Sequence, residues 1–273
     1  MALTLQKPLV ILKFGGSILT IDSQFETFNE KVASQLLTEI ATLANKYNFV
    51  LVHGAGSFGH YHAKEYDLKN GLKNENQLLG VVKTHNSMLK LNTLFMSLFE
   101  KYESLKPISF NPLTLCRTTN GEIKEFFLNS IQDALKLGFM PILFGDVVFD
   151  DTLGITILSG DKIVPYLALE LKAEKIIMLT DVEGVYDDNP KKNQKAKLLH
   201  EINLKDKELL TKISANASSG KTRVTGEMEK KLLELEEVVK KGVETWIISG
   251  LQEQALYLKL ATQDQNGTKI VVK

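Results

Sequence analysis

Residues 49–60 are FVLVHGAGSFGH, an apolar run followed at once by a loop rich in glycine. A short continuous apolar run bounded by glycine is typical of a buried strand. Gly54, Gly56 and Gly59 permit positive φ angles and a close approach of the backbone to a ligand. The stretch therefore predicts a strand that ends at a binding loop, in which His60 is the side chain offered to the ligand.

The same pattern recurs along the chain. The apolar run in residues 8–14 ends at Gly15-Gly16-Ser17, and the run in 139–150 ends at Gly145-Asp146. The run in 153–161 ends at Gly160-Asp161, and the run in 174–186 ends at Thr180-Asp181. Segments with helical spacing of apolar residues lie between the runs. Strands that alternate with helices predict an α/β fold with a mostly parallel sheet covered on both faces. The carboxyl ends of such strands, where ligands bind, then bring these loops together.

Other segments complete this prediction. The Asn120-Gly121 turn in residues 118–127 indicates a β-hairpin. Residues 75–105 carry a long helical pattern, and residues 227–241 carry another. We see no low-complexity linker and no internal repeat, which is consistent with a single domain over residues 1–273.

Composition excludes several classes of protein. Lys plus Arg and Asp plus Glu both total 33, so the net charge is zero, which argues against general nucleic-acid binding but leaves room for a local basic pocket. Cys116 is the only cysteine, which excludes an intrachain disulfide and fits a reducing compartment. Its apolar surroundings predict a buried core thiol. We find no signal peptide and no apolar run of membrane-spanning length, and we expect a cytoplasmic protein that binds no membrane.

The first glycine turn has the chemistry of an anion site. The Gly15-Gly16-Ser17 turn opens a helix, so it presents backbone N–H groups, and Lys13 adds a full positive charge. The alternative is an ordinary strand-to-helix turn. This first turn has neither the Walker A spacing nor the G-x-G-x-x-G pattern.

His60 allows three interpretations: a hydrogen bond to a phosphate oxygen, a helix cap, or a metal ligand. The two-residue spacing from His62, with no matching His/Cys cluster elsewhere in the sequence, argues against zinc, so we expect no metal held by the protein alone. Asp161 can orient Lys13 and a second lysine, and it can also cap a helix. Lys230 and Lys231 supply the charge that phosphoryl transfer needs, although taken alone they fit a solvated pair better.

The segments LKFGGS, HGAGSFGH, FGDVV, LSGDK, TDVEGVYDDNP and VTGEMEKKL occur in the order typical of the amino-acid kinase superfamily, which the chain resembles over nearly its whole length. The histidine loop resembles the isopentenyl phosphate kinases and the related fosfomycin kinases in particular. The resemblance implies a three-layer αβα sandwich, a homodimer, and transfer of the ATP γ-phosphoryl group, with Mg²⁺, to isopentenyl phosphate. It further implies an acceptor-binding part at about residues 1–170 and a nucleotide-binding part at about 171–273.

The resemblance also assigns roles to residues. The three with implied catalytic roles are Lys13, His60 and Asp161. The acceptor is expected at Ala55, Gly59, His60 and Gly160. The residues expected to bind ATP are Lys13, Gly15, Gly16, Ser17, Gly56, Asp181, Gly226 and Lys231. The apolar helix residues Leu78, Leu79 and Val82 are either a wall for a prenyl tail or ordinary core.

Two departures from the family pattern matter. Family members carry a lysine shortly after the first glycine turn, where this chain has Asp22 or a neighbour; Lys221 or Lys230 is a candidate substitute. The family's Gly-Gly-Met is Gly226-Glu227-Met228 here. The alternatives are a kinase for another small phosphate or phosphonate, such as fosfomycin, or a homologue that binds ligands but has weakened catalysis.

Overall fold

The computed structural model describes residues 5–190, 192–218, 226–262 and 264–273, and all statements below concern that part of the chain. The strands are β1 Leu9–Phe14, β2 Asn48–His53, β3 Pro107–Ser109, β4 Cys116–Thr119, β5 Glu122–Phe126, β6 Met140–Phe144, β7 Asp146–Asp150, β8 Gly154–Leu158, β9 Lys175–Thr180, β10 Val185–Tyr186, β11 Leu198–Leu199, β12 Glu201–Asn203, β13 Glu244–Ser249 and β14 Thr268–Val271. The α-helices are α1 Gly16–Leu19, α2 Glu30–Leu43, α3 Gly56–Glu65, α4 Asn76–Ser97, α5 Pro112–Leu115, α6 Asn129–Lys136, α7 Gly160–Glu170, α8 Lys207–Ser218, α9 Gly226–Glu234, α10 Glu236–Lys240 and α11 Ala255–Ala261.

The main sheet has eight strands in the order β12-β14-β13-β9-β1-β2-β6-β3. Among the described residues, every neighbouring pair in this sheet is parallel except β13 and β14, which are antiparallel. The mostly parallel sheet predicted from the alternation of strands and helices is therefore confirmed. Because β1 lies at the centre, its carboxyl end is flanked by the ends of β2 and β9.

The central strands are buried on both faces, as their continuous apolar sequences indicate. In β1, Leu9 and Ile11 pack into one hydrophobic cluster with α7, whereas Val10 and Leu12 pack into a second cluster with α2. This alternation is the two-residue period of a strand. Helices therefore cover both faces, and the three-layer αβα sandwich is confirmed.

The strand end predicted at Gly145-Asp146 is confirmed, but the prediction that the strand before Gly160-Asp161 is parallel to the others was wrong. The Gly145 N–H donates to the His53 carbonyl at 3.0 Å, which ends β6, and β7 starts at Asp146 in a different sheet. β7 and β8 are antiparallel neighbours in a four-stranded sheet of order β5-β4-β7-β8. Gly160 is therefore reached from a hairpin and not from a parallel strand of the main sheet.

The hairpin around Asn120-Gly121 is confirmed, and the structure explains its position. Both turn residues have positive φ, as their types favour. The carboxylate of buried Asp150 accepts hydrogen bonds from their two N–H groups and from the Thr118 hydroxyl. The Lys162 ammonium donates to the Gly121 carbonyl at 2.8 Å, which fastens the hairpin to α7.

Three helical predictions need adjustment. The long helix ends at Ser97, well before residue 105, and the pattern over 227–241 is divided between α9 and α10 at Leu235. Leu78, Leu79 and Val82 are each about half exposed, which rules out the core interpretation for them. Cys116 is buried as predicted, and burial raises the pKa of its thiol to about 12. Within the described ranges, no helix is long and apolar enough to cross a membrane.

Candidate active site

The loops that follow the central strands meet at one edge of the sheet. Gly15 N–H donates to the Leu179 carbonyl at 2.9 Å, and Gly54 N–H donates to the Phe14 carbonyl at 2.9 Å. These bonds continue the ladders of β1 with β9 and with β2 for one residue beyond the strands. The first two glycine turns are consequently adjacent, as the pattern of strand ends predicts.

The two turns are in direct backbone contact. Gly56 has φ +49°, and a β-carbon added at Gly16 would lie 2.3 Å from the Gly56 nitrogen. No larger residue fits either position without moving one of the loops, so the glycines are required by the close approach itself. Two sets of backbone groups, one from each turn, can therefore face ligands that lie side by side.

Lys13 and Asp161 form a buried ion pair beside these turns. The strand alternation that places Leu9 and Ile11 toward α7 also directs Lys13 there, and its ammonium lies 3.0 Å from the Asp161 carboxylate. Burial by itself raises the pKa of Asp161, but Lys13, Lys231 and His60 lower it, and the net shift is downward. Asp161 is thus an ionised carboxylate surrounded by three basic side chains from β1, α9 and α3.

His60 lies on a helix and not in a loop as expected. Helix α3 begins at Gly56, with Ala55 as its N-cap, so His60 is the fifth residue of α3. Its side chain is exposed, while the neighbouring Gly59 packs against Met88 of α4 so closely that an added β-carbon would lie 2.6 Å from the Met88 sulfur. The second glycine turn is therefore the N-terminal turn of a helix, which has backbone N–H groups without intrahelical partners.

Gly160 joins the same group of loops from the second sheet. A β-carbon added there would lie 3.5 Å from the His53 carbonyl oxygen and 3.8 Å from Cε of Lys13. Asp161, the next residue, is the second residue of α7, whose N-cap is Ser159, so the N-cap interpretation of Asp161 is wrong.

Among the residues expected to bind ATP, the Ser17 hydroxyl donates to the Asp181 carboxylate at 3.1 Å, which links the first turn to the loop after β9. Gly226 is the first residue of α9, and Lys231 lies in its second half, close enough to Asp161 to lower its pKa. Lys230 is exposed. Lys221 and residues 222–225 lie outside the described residues.

Asp22 does lie near the site. Its carboxylate is exposed and sits 3.3 Å from the Thr20 hydroxyl. Thr20 is buried, and its hydroxyl accepts a hydrogen bond from Ser57 N–H at 3.0 Å while lying 2.9 Å from the Gly16 carbonyl. The sequence carried no signal for the bond between Thr20 and Ser57, because the two residues are 37 positions apart.

The roles of two histidines, buried His53 and partly buried His85, were also missed. The His53 ring contacts Gly54 and Asn92, and the His85 ring lies 2.7 Å from the Asp146 carboxylate. Their hydrogen bond raises the pKa of His85, whereas burial raises that of Asp146. The FGD motif was a signal for Asp146, but nothing in the sequence pointed to its partner.

The described residues contain no cluster of three or more His, Cys, Asp or Glu side chains arranged for a metal ion. Mg²⁺ is commonly bound through nucleotide phosphates with only one or two carboxylates. Asp181, next to Ser17 of the first turn, is a carboxylate of the required type. The site is therefore compatible with a Mg²⁺ ion that arrives with the nucleotide.

A buried lysine–carboxylate pair beside two glycine turns at the carboxyl edge of a parallel sheet defines a phosphate-handling site. The amino acid kinase family model matches residues 8–249, and the chain therefore belongs to this family. Isopentenyl phosphate kinase of Methanothermobacter thermautotrophicus is 34% identical over 273 residues, covering 97% of this chain and 100% of the relative. Isopentenyl phosphate kinase of Arabidopsis thaliana is 36% identical over 212 residues, covering 73% of this chain and 64% of the relative.

The same family appears among solved structures. An isopentenyl phosphate kinase superposes with a TM-score of 0.82 at 31% identity, covering 96% of this chain and 100% of the other. The product complex of the T. acidophilum isopentenyl phosphate kinase superposes with a TM-score of 0.77 at 25% identity, covering 96% and 99%. Both agree with the family membership that the whole-chain motif order predicts.

Proposed function

We propose that this protein transfers the γ-phosphoryl group of ATP to isopentenyl phosphate, giving isopentenyl diphosphate and ADP. The observation that carries the proposal is the backbone contact between Gly16 and Gly56, with the Lys13–Asp161 pair beside it. Two phosphate-bearing ligands bound at the two turns would meet end to end at Lys13. Relatives named isopentenyl phosphate kinase that span the whole chain support the choice of acceptor.

The ATP phosphates are assigned to the first turn. Backbone N–H groups of Gly16 and Ser17 face the β- and γ-phosphates, and Gly56 lies against them from the second turn. Gly15 begins the turn, and its own N–H is bonded to the Leu179 carbonyl. Asp181, Gly226 and Lys231 complete the nucleotide side. ATP brings Mg²⁺, which offsets phosphate charge during transfer. Because the migrating group carries charge on three oxygens, fixed cations lower the barrier most when they are held in advance.

The acceptor phosphate is assigned to the start of α3. Ala55 and Gly59 line this turn, Gly160 closes it from α7, and His60 donates a hydrogen bond to a phosphate oxygen. The attacking atom is an oxygen of a phosphate dianion, which is already a nucleophile, so no general base is required. His60 therefore holds and orients the acceptor.

Lys13 stabilises the charge of the transferring group, and Asp161 holds Lys13 in place. A buried carboxylate with lysines around it fixes their ammonium groups before the ligands arrive, which avoids reorganisation during the reaction. Asp161 itself does not contact phosphate favourably, since both carry negative charge.

The direct test is an ADP-release assay with Mg-ATP and a panel of acceptors: isopentenyl phosphate, inorganic phosphate, fosfomycin and a short polar phosphate ester. We expect turnover with isopentenyl phosphate, and omission of Mg²⁺ should abolish it. Absence of turnover above background with that acceptor, from a protein shown to bind ATP, would overturn the proposal.

Three further assignments belong to this proposal. One domain spans residues 1–273, with the acceptor in about residues 1–170 and the nucleotide in about 171–273. The protein acts as a cytoplasmic homodimer on a small-molecule substrate. Light scattering of purified protein checks the dimer, since a single peak near the monomer mass of 30.5 kDa would contradict it.

A further inference from the structure

His53 precedes the second glycine turn, and its side chain is enclosed in the protein. It is the last residue of β2 and fully buried, and its ring stacks on Phe144 with centroids 5.3 Å apart. The Phe95 ring meets its edge from α4, with centroids 5.7 Å apart. Planar neighbours on two sides fix the ring, so the directions of its two nitrogens are fixed as well.

Each ring nitrogen has one polar neighbour. Nδ1 lies 3.1 Å from the carbonyl oxygen of Gly54, the first residue of the glycine turn. Nε2 lies 3.3 Å from the side-chain oxygen Oδ1 of Asn92 on α4. The Nδ2 group of the same amide donates to the Ser109 hydroxyl oxygen at 2.9 Å, at the end of β3. The chain Ser109–Asn92–His53–Gly54 thus runs from the edge strand of the sheet to the acceptor turn.

The number of protons on the His53 ring determines which group donates and which accepts in each of these hydrogen bonds. Burial lowers the pKa of His53 to about 4, so the ring carries a single proton at neutral pH and can donate only once. The Gly54 carbonyl can only accept, whereas the Asn92 amide can present either its oxygen or its NH₂ group. With Oδ1 of Asn92 toward the ring, the single proton would lie on Nε2, and Nδ1 and the Gly54 carbonyl would face each other as two acceptors. Turning the Asn92 amide by 180° exchanges its oxygen and nitrogen, which occupy nearly the same positions. In that orientation every donor has an acceptor: Ser109 donates to the Asn92 oxygen, the Asn92 NH₂ donates to Nε2, and Nδ1–H donates to Gly54.

We infer that His53 is a positioning residue for the acceptor: its Nδ1–H holds the Gly54 carbonyl, and Asn92 fixes the tautomer that makes this possible. This inference rests on the proposed function for its kinetic consequence. Holding the Gly54 carbonyl sets the peptide plane between Gly54 and Ala55, and hence the direction of the Ala55 N–H that leads into α3. Three of the next five residues are glycine or alanine, so few side chains restrain this turn otherwise.

Two conservative variants separate the two nitrogens. In His53→Asn the side-chain NH₂ occupies the place of Nδ1–H and keeps the donor to Gly54. In His53→Gln the amide reaches the place of Nε2 and loses that donor. We expect His53→Gln to lower kcat/KM for isopentenyl phosphate by tenfold or more, with the KM for ATP changed less than twofold. His53→Asn should remain within about threefold of the parent protein.

Both variants remove ring packing, so both should lower the melting temperature by similar amounts, and stability alone cannot produce the kinetic difference. Equal kinetic losses in the two variants, or an equal change in the KM for ATP, would overturn the positioning role. A Gln variant with parental kinetics would do the same.

A second measurement does not depend on activity. Long-range ¹H–¹⁵N correlation spectra of protein with ¹⁵N-histidine, assigned by comparison with His53→Gln, report the tautomer directly. We expect Nδ1–H at neutral pH, and conversion to Nε2–H in Asn92→Asp, whose carboxylate can only accept. An Nε2–H tautomer in the parent protein contradicts the inference even if the kinase reaction is as proposed, and an Nδ1–H tautomer supports it even if that reaction is not found.

Discussion

The Thr20 hydroxyl accepts a hydrogen bond from the Ser57 N–H at 3.0 Å and lies 2.9 Å from the Gly16 carbonyl, which joins the turns assigned to ATP and to the acceptor. Ser57 is in the first turn of α3, where N–H groups lack intrahelical acceptors. One buried hydroxyl therefore helps to set the distance between these two turns.

Thr20→Val keeps the side-chain shape but removes the hydroxyl, which leaves the Ser57 N–H without its acceptor. The cost of such an unsatisfied group is about 1–3 kcal/mol. We expect kcat/KM to fall at least about tenfold for both substrates, since each 1.4 kcal/mol corresponds to a factor of ten. Steady-state kinetics check this, with Thr20→Ser as the variant that restores the bond.

Thr93→Val is a matched control, because the exposed Thr93 hydroxyl also bonds a carbonyl within its helix, that of Leu89. It should leave the kinetics unchanged. Equal activity of Thr20→Ser and Thr20→Val would show that the hydroxyl does not matter.

Lys13→Met removes the charge proposed to stabilise the transferring group. Loss of one preorganised electrostatic contact typically lowers kcat about 10²–10³-fold, and we expect a loss of that size. Asp161→Asn keeps Lys13 but releases it, so its loss should be smaller. Rapid-quench measurements of the chemical step test both, and Lys175→Met, at the opposite end of the sheet, is the control. An unchanged chemical step in Lys13→Met would remove Lys13 from the mechanism.

His60→Ala should raise the KM for isopentenyl phosphate at least about tenfold, equivalent to one charge-assisted hydrogen bond of about 1.5–3 kcal/mol. The KM for ATP should change less than twofold. His62→Ala is the control: this histidine lies on the same helix but contacts Glu65 at 3.3 Å. If the acceptor KM is the same in both variants, the assignment of α3 to the acceptor is wrong.

Asp22→Lys places a cation where family members carry one. We expect kcat to rise about threefold to tenfold, as an added positive charge near the phosphates stabilises the transition state. Asp22→Asn, which only removes the negative charge, should give a smaller increase. Asp133→Lys changes the net charge equally at an exposed position of α6, far along the chain, and should not alter kcat. A decrease in kcat for Asp22→Lys would mean that another cation already fills this role.

The stability of the protein should fall on acidification from pH 6.5 to 4. His53 has a pKa of about 4 in the folded protein because of burial, against 6.5 for the ordinary side chain. The unfolded chain therefore binds more protons in this window, and unfolding becomes easier as the pH falls. A difference of about 2.5 units between the pKa of His53 in the folded and unfolded protein changes the free energy of unfolding by about 3 kcal/mol at most.

Urea unfolding of parent and His53→Asn proteins at pH 4.5 and 6.5 measures this dependence, which should be weaker in the variant. The raised pKa of His85 has the opposite effect on stability, and it acts at a higher pH. His85 stabilises the folded protein below pH 6.5, and this stabilisation is lost as the pH rises above that value. Parallel pH profiles for the two proteins would contradict the role given to His53.

Much of the site could be predicted because its chemistry is local in sequence. A glycine turn directly after a buried strand can be recognised from adjacent residues. Sequence alone therefore identified Gly15, Gly16, Gly54 and Lys13. The family resemblance depends on the order of such segments. The wrong prediction of a parallel strand before Gly160 has the same origin, because a local pattern cannot show that the chain leaves one sheet for another at Gly145.

The sequence by itself determined the α/β class, the parallel sheet and the glycine turns, since the periods of apolar residues and the backbone freedom of glycine are properties of short segments. Only the tertiary structure decided which side chains meet. Lys13 pairs with Asp161, Thr20 with Ser57 and His53 with Asn92 across 148, 37 and 39 positions of the chain, respectively. Such pairs form because packing buries polar groups that must then find partners, and no local pattern records which partner is within reach.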